Sequence, residues 1–319
     1  MNRADDMRAA LECRRGAAVP IWEIEFHCWD QASGRHVVLG REFEKLTAAE
    51  QDRALRENAE IIASVARDLN FAAVTMPNGF WEVAPGEPAY YWLPGEARWQ
   101  QARWLKQQLG RDILMAGIGP AILTMPSASD YETFCYRMHD SPEQLDCDAR
   151  AILNSGIESA RRQRDLGVDF ICAACDIADN HGPFFNLAQM RRWILPYLRQ
   201  WADEVRGLGM YAVLHTDGNI TPLLEDLAGA GLNGLQAIDP VAGMDIRQAK
   251  AAVGNRLCLC GNVDCGLLQF GPPAKIRETT RQLVRDLGPG GGFVLGASNA
   301  VVRETPLAHY RAMLEACSG

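Results

Sequence analysis

Apolar and polar positions follow two periods along this chain. Eight short, mostly apolar runs read as buried strands: residues 19–27, 71–77, 112–120, 168–176, 210–217, 234–240, 257–264 and 293–300. Helical patterns fill the intervals. Thr47-Ala48-Ala49-Glu50 is a capping box that opens a helix to Leu69, with Leu55, Ile62, Val65 and Leu69 near one face. Ser141-Pro142 starts a second that runs to about Leu166. Asn186 caps a third containing Trp193, Tyr197, Trp201 and Leu208, which Pro196 should kink. Gly167 and Gly209 stop helices and feed the next strand.

Eight strands alternating with helices predict a parallel sheet, and the count predicts a closed (β/α)8 barrel of the TIM type, one domain over residues 1–319. An open doubly wound sheet is disfavoured because no phosphate-binding fingerprint follows the first strand. Gly290-Gly291-Gly292 precedes the last strand, where a tight turn is expected. Two long connections, at about 28–46 and 78–97, follow strands and so belong to the active-site face. The second is rich in aromatics and prolines, Trp81 and Tyr91 among them, and is expected to wall the substrate pocket.

Charge narrows the function classes. The net charge is -8 and there is no basic run, so a nucleic-acid surface is not expected. No segment approaches the ~18 consecutive apolar residues of a membrane span, and the polar start lacks a signal-peptide core, so a cytoplasmic protein is expected. The ten cysteines should then be reduced. Cys172 and Cys175 lie three apart on a strand and face opposite ways, so they cannot chelate one metal. Most of the ten read as small buried hydrophobes.

Candidate chemistry gathers where the strands end. The run 211–219 closes on His215 and Asp217, two apart on a strand and therefore on one face, before Gly218-Asn219 turns the chain away. Such a pair binds a metal, moves a proton, or is a histidine held by its neighbour for structure. The first strand splits Trp22, Ile24 and Phe26 from Glu23, Glu25 and His27. With the apolar set packed on helices, the two carboxylates and the histidine are expected to face the lumen, where they need a metal, a cation or a raised pKa. Asp176, Asp239, Asn262 and Asn299 join them from other strand ends, and no lysine or arginine falls inside the eight runs. Asp179, Asn180 and Asp264 are read as turn makers, and His36, His139 and His309 as ordinary surface or packing residues.

At this point the chain resembles the uroporphyrinogen decarboxylase and corrinoid methyltransferase superfamily nearly end to end, as a divergent member closer to the methyltransferase-like branch. The resemblance rests on Val19-Pro20-Ile21-Trp22, on residues 176–183, on residues 215–219, on Cys260-Gly261-Asn262-Val263-Asp264 and on Gly296-Ala297-Ser298-Asn299. It implies a (β/α)8 barrel with its pocket at the strand C-termini. Decarboxylases of the superfamily carry arginines after the Pro-x-Trp segment to hold porphyrin carboxylates; here that place reads Glu23-Ile24-Glu25-Phe26-His27. Its thiol methyltransferases bind zinc through a His-x-Cys and a later cysteine. Here His215 matches, Asp217 replaces the first cysteine, and Ala297 or Ser298 stands at the second.

The expectation drawn from residues and resemblance together is a methyltransferase. It would move a methyl group between a small substrate, such as a methoxylated aromatic or a methylamine-like compound, and a corrinoid. The Asp-x-His-x-x-Gly pattern of a corrinoid-binding domain does not occur, so a partner protein would bring the corrinoid. His215, Asp217, Glu25 and Asp176 are the candidate catalytic residues, with His215, Asp217 and Glu25 as ligands for Zn²⁺. Glu23, His27, Asn262, Asn299, Trp81 and Tyr91 are the candidate substrate contacts. The alternatives are a decarboxylase or lyase acting on something smaller than a porphyrinogen, and a non-catalytic barrel that binds a tetrapyrrole or corrinoid.

Overall fold

The computed structural model describes residues 2–77 and 90–317, and the backbone of 82–84 and 87–88 between them. A curled parallel sheet of seven strands forms its centre, in the order β1 (Ala73–Thr75), β2 (Leu114–Gly119), β3 (Phe170–Ala174), β4 (Tyr211–His215), β5 (Gly234–Gln236), β6 (Cys258–Val263) and β7 (Phe293–Ala297). Strand order follows chain order, as successive β-α units require. Among the described residues no helix is long and apolar enough to cross a membrane.

The eighth expected strand is present as a bridging segment. Residues 19–27 pair with β7 only at Ile21↔Leu295, then beyond its end at Phe26↔Val301. On the other flank Ala72 N–H donates to the Ile21 carbonyl at 2.8 Å, and Thr75 Oγ1 donates to the Glu23 carbonyl at 2.9 Å. The segment therefore stands between β7 and β1 and closes the barrel. Its two bridges are five steps apart on one side and six on the other, so strict alternation cannot persist between them.

The strands show why the interior is packed. Phe170, Cys172, Val213, Cys258, Cys260 and Val294 share a cluster inside the sheet, while Ile171, Ala173, Leu214, Leu259 and Leu295 pack outward. Helix α1 (Arg3–Leu11) plugs the lower end with Ala4, Met7 and Leu11 in the inner cluster. Cys172 and Cys175 do fall in different clusters, and all ten cysteines are free. Outside lie α2 (Ala48–Asp68), α3 (Ala97–Leu109), α4 (Pro142–Asp165), α5 (Leu195–Gly207), α6 (Ile246–Val253), α7 (Pro273–Leu287) and α8 (Leu307–Cys317). The capping box at Thr47 forms as expected. The kink ahead of Pro196 takes the form of a π-helical turn at Met190–Ile194, which absorbs the hydrogen bond proline cannot donate.

The first strand corrects the expected facing. Trp22 and Ile24 belong to the inner cluster: the Trp22 ring meets Phe170 edge-on at 5.1 Å and its Nε1–H donates to Thr75 Oγ1 at 2.9 Å. Phe26 points outward to Phe71, Trp29 and Tyr310. Glu23, expected in the lumen, faces α8. Its Oε1 accepts from Tyr310 Oη and its Oε2 from Ala297 N–H, each at 2.8 Å. The apolar side chains fill the lumen because the residues opposite are small (Ala73, Ala116, Cys172, Cys260), leaving a space the indole occupies.

Burial pushes the Glu23 carboxyl up to about 8, against the pull of its two hydrogen bonds. The folded state thus holds a proton that the unfolded chain releases above the ordinary value of 4.5, and stability falls as pH rises from there through about 8. Gln at this position matches the protonated acid: its oxygen accepts from Ala297 N–H, and its NH2, like the acid's Oε1–H, donates to Tyr310 Oη once that hydroxyl turns to accept. Glu23→Gln should remove this slope, so that the variant gains on the wild type steadily from pH 5 to about 8 in denaturant melts. Parallel stability curves would show that Glu23 is ionised when folded.

Candidate functional site

The C-terminal ends of β3 and β4 deliver the central cluster. His215 is the last residue of β4 and shares the inner face with Val213. Its side chain is only 8% exposed. Asp217 follows two residues later, and Asp176 lies just past β3. Backbone ties hold them together: Asp217 N–H donates to Asp176 Oδ1 at 2.8 Å, and Gly218 N–H to Asp239 Oδ2 at 3.3 Å. Gly218 makes this turn with φ +87°, and a Cβ there would stand 2.5 Å from the Ala178 carbonyl carbon. Only glycine fits such a contact in the left-handed region.

The geometry is that of a ligand set. One donor atom each from Asp176, His215 and Asp217 lie within 4.8 Å of one another. His215 Nε2 stands 3.8 Å from Asp176 Oδ1 and 3.9 Å from Asp217 Oδ1, too far for a hydrogen bond to either. The Nε2 of a buried histidine therefore points between two carboxylates without bonding to them. That arrangement fits a divalent cation at ordinary oxygen and imidazole ligand distances. On the far side, His215 Nδ1 contacts Gln236 Oε1.

Asn299 completes the cluster. Its Nδ2 donates to Asp217 Oδ2 at 2.6 Å while its Oδ1 accepts from Ala300 N–H at 2.7 Å, which fixes the amide's orientation. Burial holds the Asp217 carboxyl up at about 6, against the opposing pull of His215; the negative charges of Asp176 and Asp239 push further up, and the Asn299 hydrogen bond pulls down.

The ligand set found among the described residues does not include Glu25. Glu25 was expected as a ligand beside His215 and Asp217, but Asp176 takes that place in the cluster. Glu25 Oε2 instead meets His27 Nε2 at 2.8 Å, and His27 Nδ1 meets Tyr90 Oη at 2.6 Å. His27 stacks on Tyr91 at 4.0 Å, and the Tyr91 hydroxyl accepts from Trp29 Nε1 at 2.9 Å. Asn262 is buried and donates to the Ile238 carbonyl at 2.8 Å. Trp81 lies outside the described residues.

The residues read as turn makers behave so where their bonds are seen. Asp179 accepts from His181 and Gly182 N–H, and Asp264 caps the helix Cys265–Phe270. Gln236 was not anticipated. Its signal was available: a lone amide in an apolar strand, two residues from Gly234, whose parity places it on the lumen face opposite His215. A cavity of about 390 Å³ lies at the other end of the barrel, lined by Arg14, Val19, Pro20, Gly291 and Phe293, and none of the clustered acids reaches it.

Comparison with known proteins agrees with this architecture. The family model for uroporphyrinogen decarboxylase matches residues 100–319. The chain belongs to the uroporphyrinogen decarboxylase family. The uroporphyrinogen decarboxylase of Pseudomonas paraeruginosa is 27% identical over 197 residues, covering 60% of this chain and 52% of its own. That of Azotobacter vinelandii is 28% identical over 194 residues, with the same coverage of 60% and 52%. The chain thus matches about half the length of these curated relatives. Among solved structures, a methyltransferase from Methanosarcina mazei superposes with a TM-score of 0.76 over 100% of this chain and 98% of its own, at 20% identity. At that identity the likeness establishes the shared fold.

Gly218→Ala tests the local design. The left-handed backbone alone should cost roughly 1–3 kcal/mol, and the contact with Ala178 adds to it. A denaturant melt within error of the wild type would mean the turn can re-form with a side chain present.

Proposed function

We propose that this protein is a methyltransferase that moves a methyl group between a small methylated substrate and a corrinoid carried by a partner protein. The observation that carries the reading is Nε2 of the buried His215, directed between Asp176 and Asp217 without a hydrogen bond. The likeness in fold to the Methanosarcina mazei methyltransferase supports it. Three carboxylates, Asp176, Asp217 and Asp239, stand around the mouth, and the eight strand runs hold no arginine or lysine. Such a mouth repels a polycarboxylate of the porphyrinogen kind and suits a neutral or cationic substrate.

His215, Asp217 and Asp176 would hold a divalent cation, with Zn²⁺ the first candidate for a set of one imidazole and two carboxylates. A cation bound there would supply Lewis acidity toward the substrate's ether or phenolic oxygen. The remaining work falls to the chain itself. Asn299 and the Asp217 backbone bond fix the carboxylates in place, and the packed lumen below excludes water. For an aryl methyl ether, the bond from methyl carbon to oxygen breaks and its electron pair stays on oxygen, which takes a proton. The reduced corrinoid donates the pair that forms the new bond to the methyl carbon.

The test is methyl transfer from a panel of methoxylated aromatics and methylamines to cob(I)alamin, followed by the change in corrinoid absorbance. Wild-type protein should turn over at least one of them. His215→Ala and Asp217→Ala should fold and lose on the order of a hundredfold or more of that rate, the scale of removing a preorganised electrostatic group. Bound metal should fall in parallel. The names of the curated relatives point to a second reading, decarboxylation of a substrate smaller than a porphyrinogen. Release of labelled carbon dioxide without methyl transfer would establish that reading in place of the first.

A further inference from the structure

Gln236 is buried beneath the cluster and is bonded at both ends of its amide. Nε2 donates to the Ser298 carbonyl at 3.1 Å and to the Ala297 carbonyl at 3.3 Å. Its Oε1 contacts His215 Nδ1. The reverse orientation would set an amide oxygen against two carbonyl oxygens, so two carbonyls of the β7 end decide which way this side chain faces. An oxygen facing Nδ1 accepts, and Nδ1 must then carry the hydrogen.

We infer that Gln236 is a positioning residue that holds His215 in the Nδ1–H tautomer, leaving the Nε2 lone pair directed between Asp176 and Asp217. Two independent features agree. Among the described residues Nε2 has no acceptor within hydrogen-bond distance, the nearest carboxylate oxygens standing 3.8 and 3.9 Å away. The strand register also sets His215 directly opposite Gln236, so the contact follows from backbone pairing and not from a flexible reach. The effect runs from the β7 end through Gln236 to the imidazole: Ala297 and Ser298 orient the amide, and the amide orients the ring. The inference rests on reading the cluster as a cation centre only for its consequence; the tautomer itself can be read without a cation.

The experiment uses full-length protein labelled with ¹⁵N at its six histidines, freed of metal and held at about pH 8, above the ordinary histidine range. The His215 ring nitrogens are assigned by their loss in His215→Gln. Wild type should show Nδ1 protonated and Nε2 bare. Gln236→Met, which removes the acceptor, should move the hydrogen to Nε2, on the side that faces the two carboxylates. Gln236→Glu, protonated on the oxygen that faces the Ala297 and Ser298 carbonyls, keeps an acceptor on Nδ1 and should retain the original tautomer. Nε2–H in the wild type overturns the inference without reference to any variant, as does an unchanged tautomer in Gln236→Met.

Zn²⁺ titration of the same proteins separates this inference from the proposed function. Affinity should fall roughly 10–100-fold in Gln236→Met, the usual range for losing a partner behind a metal-bound histidine, and recover in Gln236→Glu. A loss of affinity with no tautomer change would assign Gln236 a packing role and overturn the inference. Wild-type protein that shows the expected tautomer but binds neither Zn²⁺ nor Mn²⁺ would refute the cation centre and leave the inference standing.

Discussion

The Trp22 indole is the contact on which the rest of the barrel depends. It lies edge-on to Phe170 and bonds Thr75 through Nε1, so one side chain ties the closing segment to β1 and β3 at once. Gly296 makes that position available. A Cβ there would stand 2.2 Å from the Trp22 carbonyl, so the segment can lie against β7 only where β7 has no side chain. With the indole in the lumen, the lower barrel is filled by apolar atoms. The polar groups described above are confined to the upper rim, where water and substrate arrive.

Much of this architecture was legible in the sequence because it depends on local signals. Seven of the eight runs form ladder strands, and the helix caps at Thr47 and Asn186 form where their residue types place them. His215 and Asp217 share a cluster because a two-residue spacing at a strand end leaves little freedom. The first strand was misjudged for a physical reason. Its alternation says that two sets of side chains face opposite ways, but not which set faces the axis. That choice depends on how much room the other seven strands leave, and the small residues at Ala73, Ala116 and Cys172 are scattered along the chain.

Within the site, the same distinction applies. Asp176 stands in the cluster because the Asp217 backbone N–H holds its carboxylate across two adjacent strand ends, a property of two strands rather than one. Gln236 escaped notice because its importance is relational: an amide in a strand has no chemistry to announce until the strand beside it sets an imidazole at the same height. Asn299 gains its fixed orientation in the same way, from the adjacent Ala300 N–H and from a carboxylate far off in sequence.

None of the three side chains that converge at the rim contains sulfur. A thiolate in such a position is open to stepwise oxidation, first to a sulfenic acid and then to forms a cell cannot reverse. Carboxylates and imidazole have no comparable reaction, and the thiols at Cys172 and Cys258 are buried in the lower lumen, where the loss of solvation disfavours the reactive anion. Stepwise oxidation of a donor atom is therefore closed to the three groups of the cluster, while a thiol beside it, Cys265, accepts from Asn299 N–H and Ser298 Oγ and is pushed up by burial, away from its reactive anion.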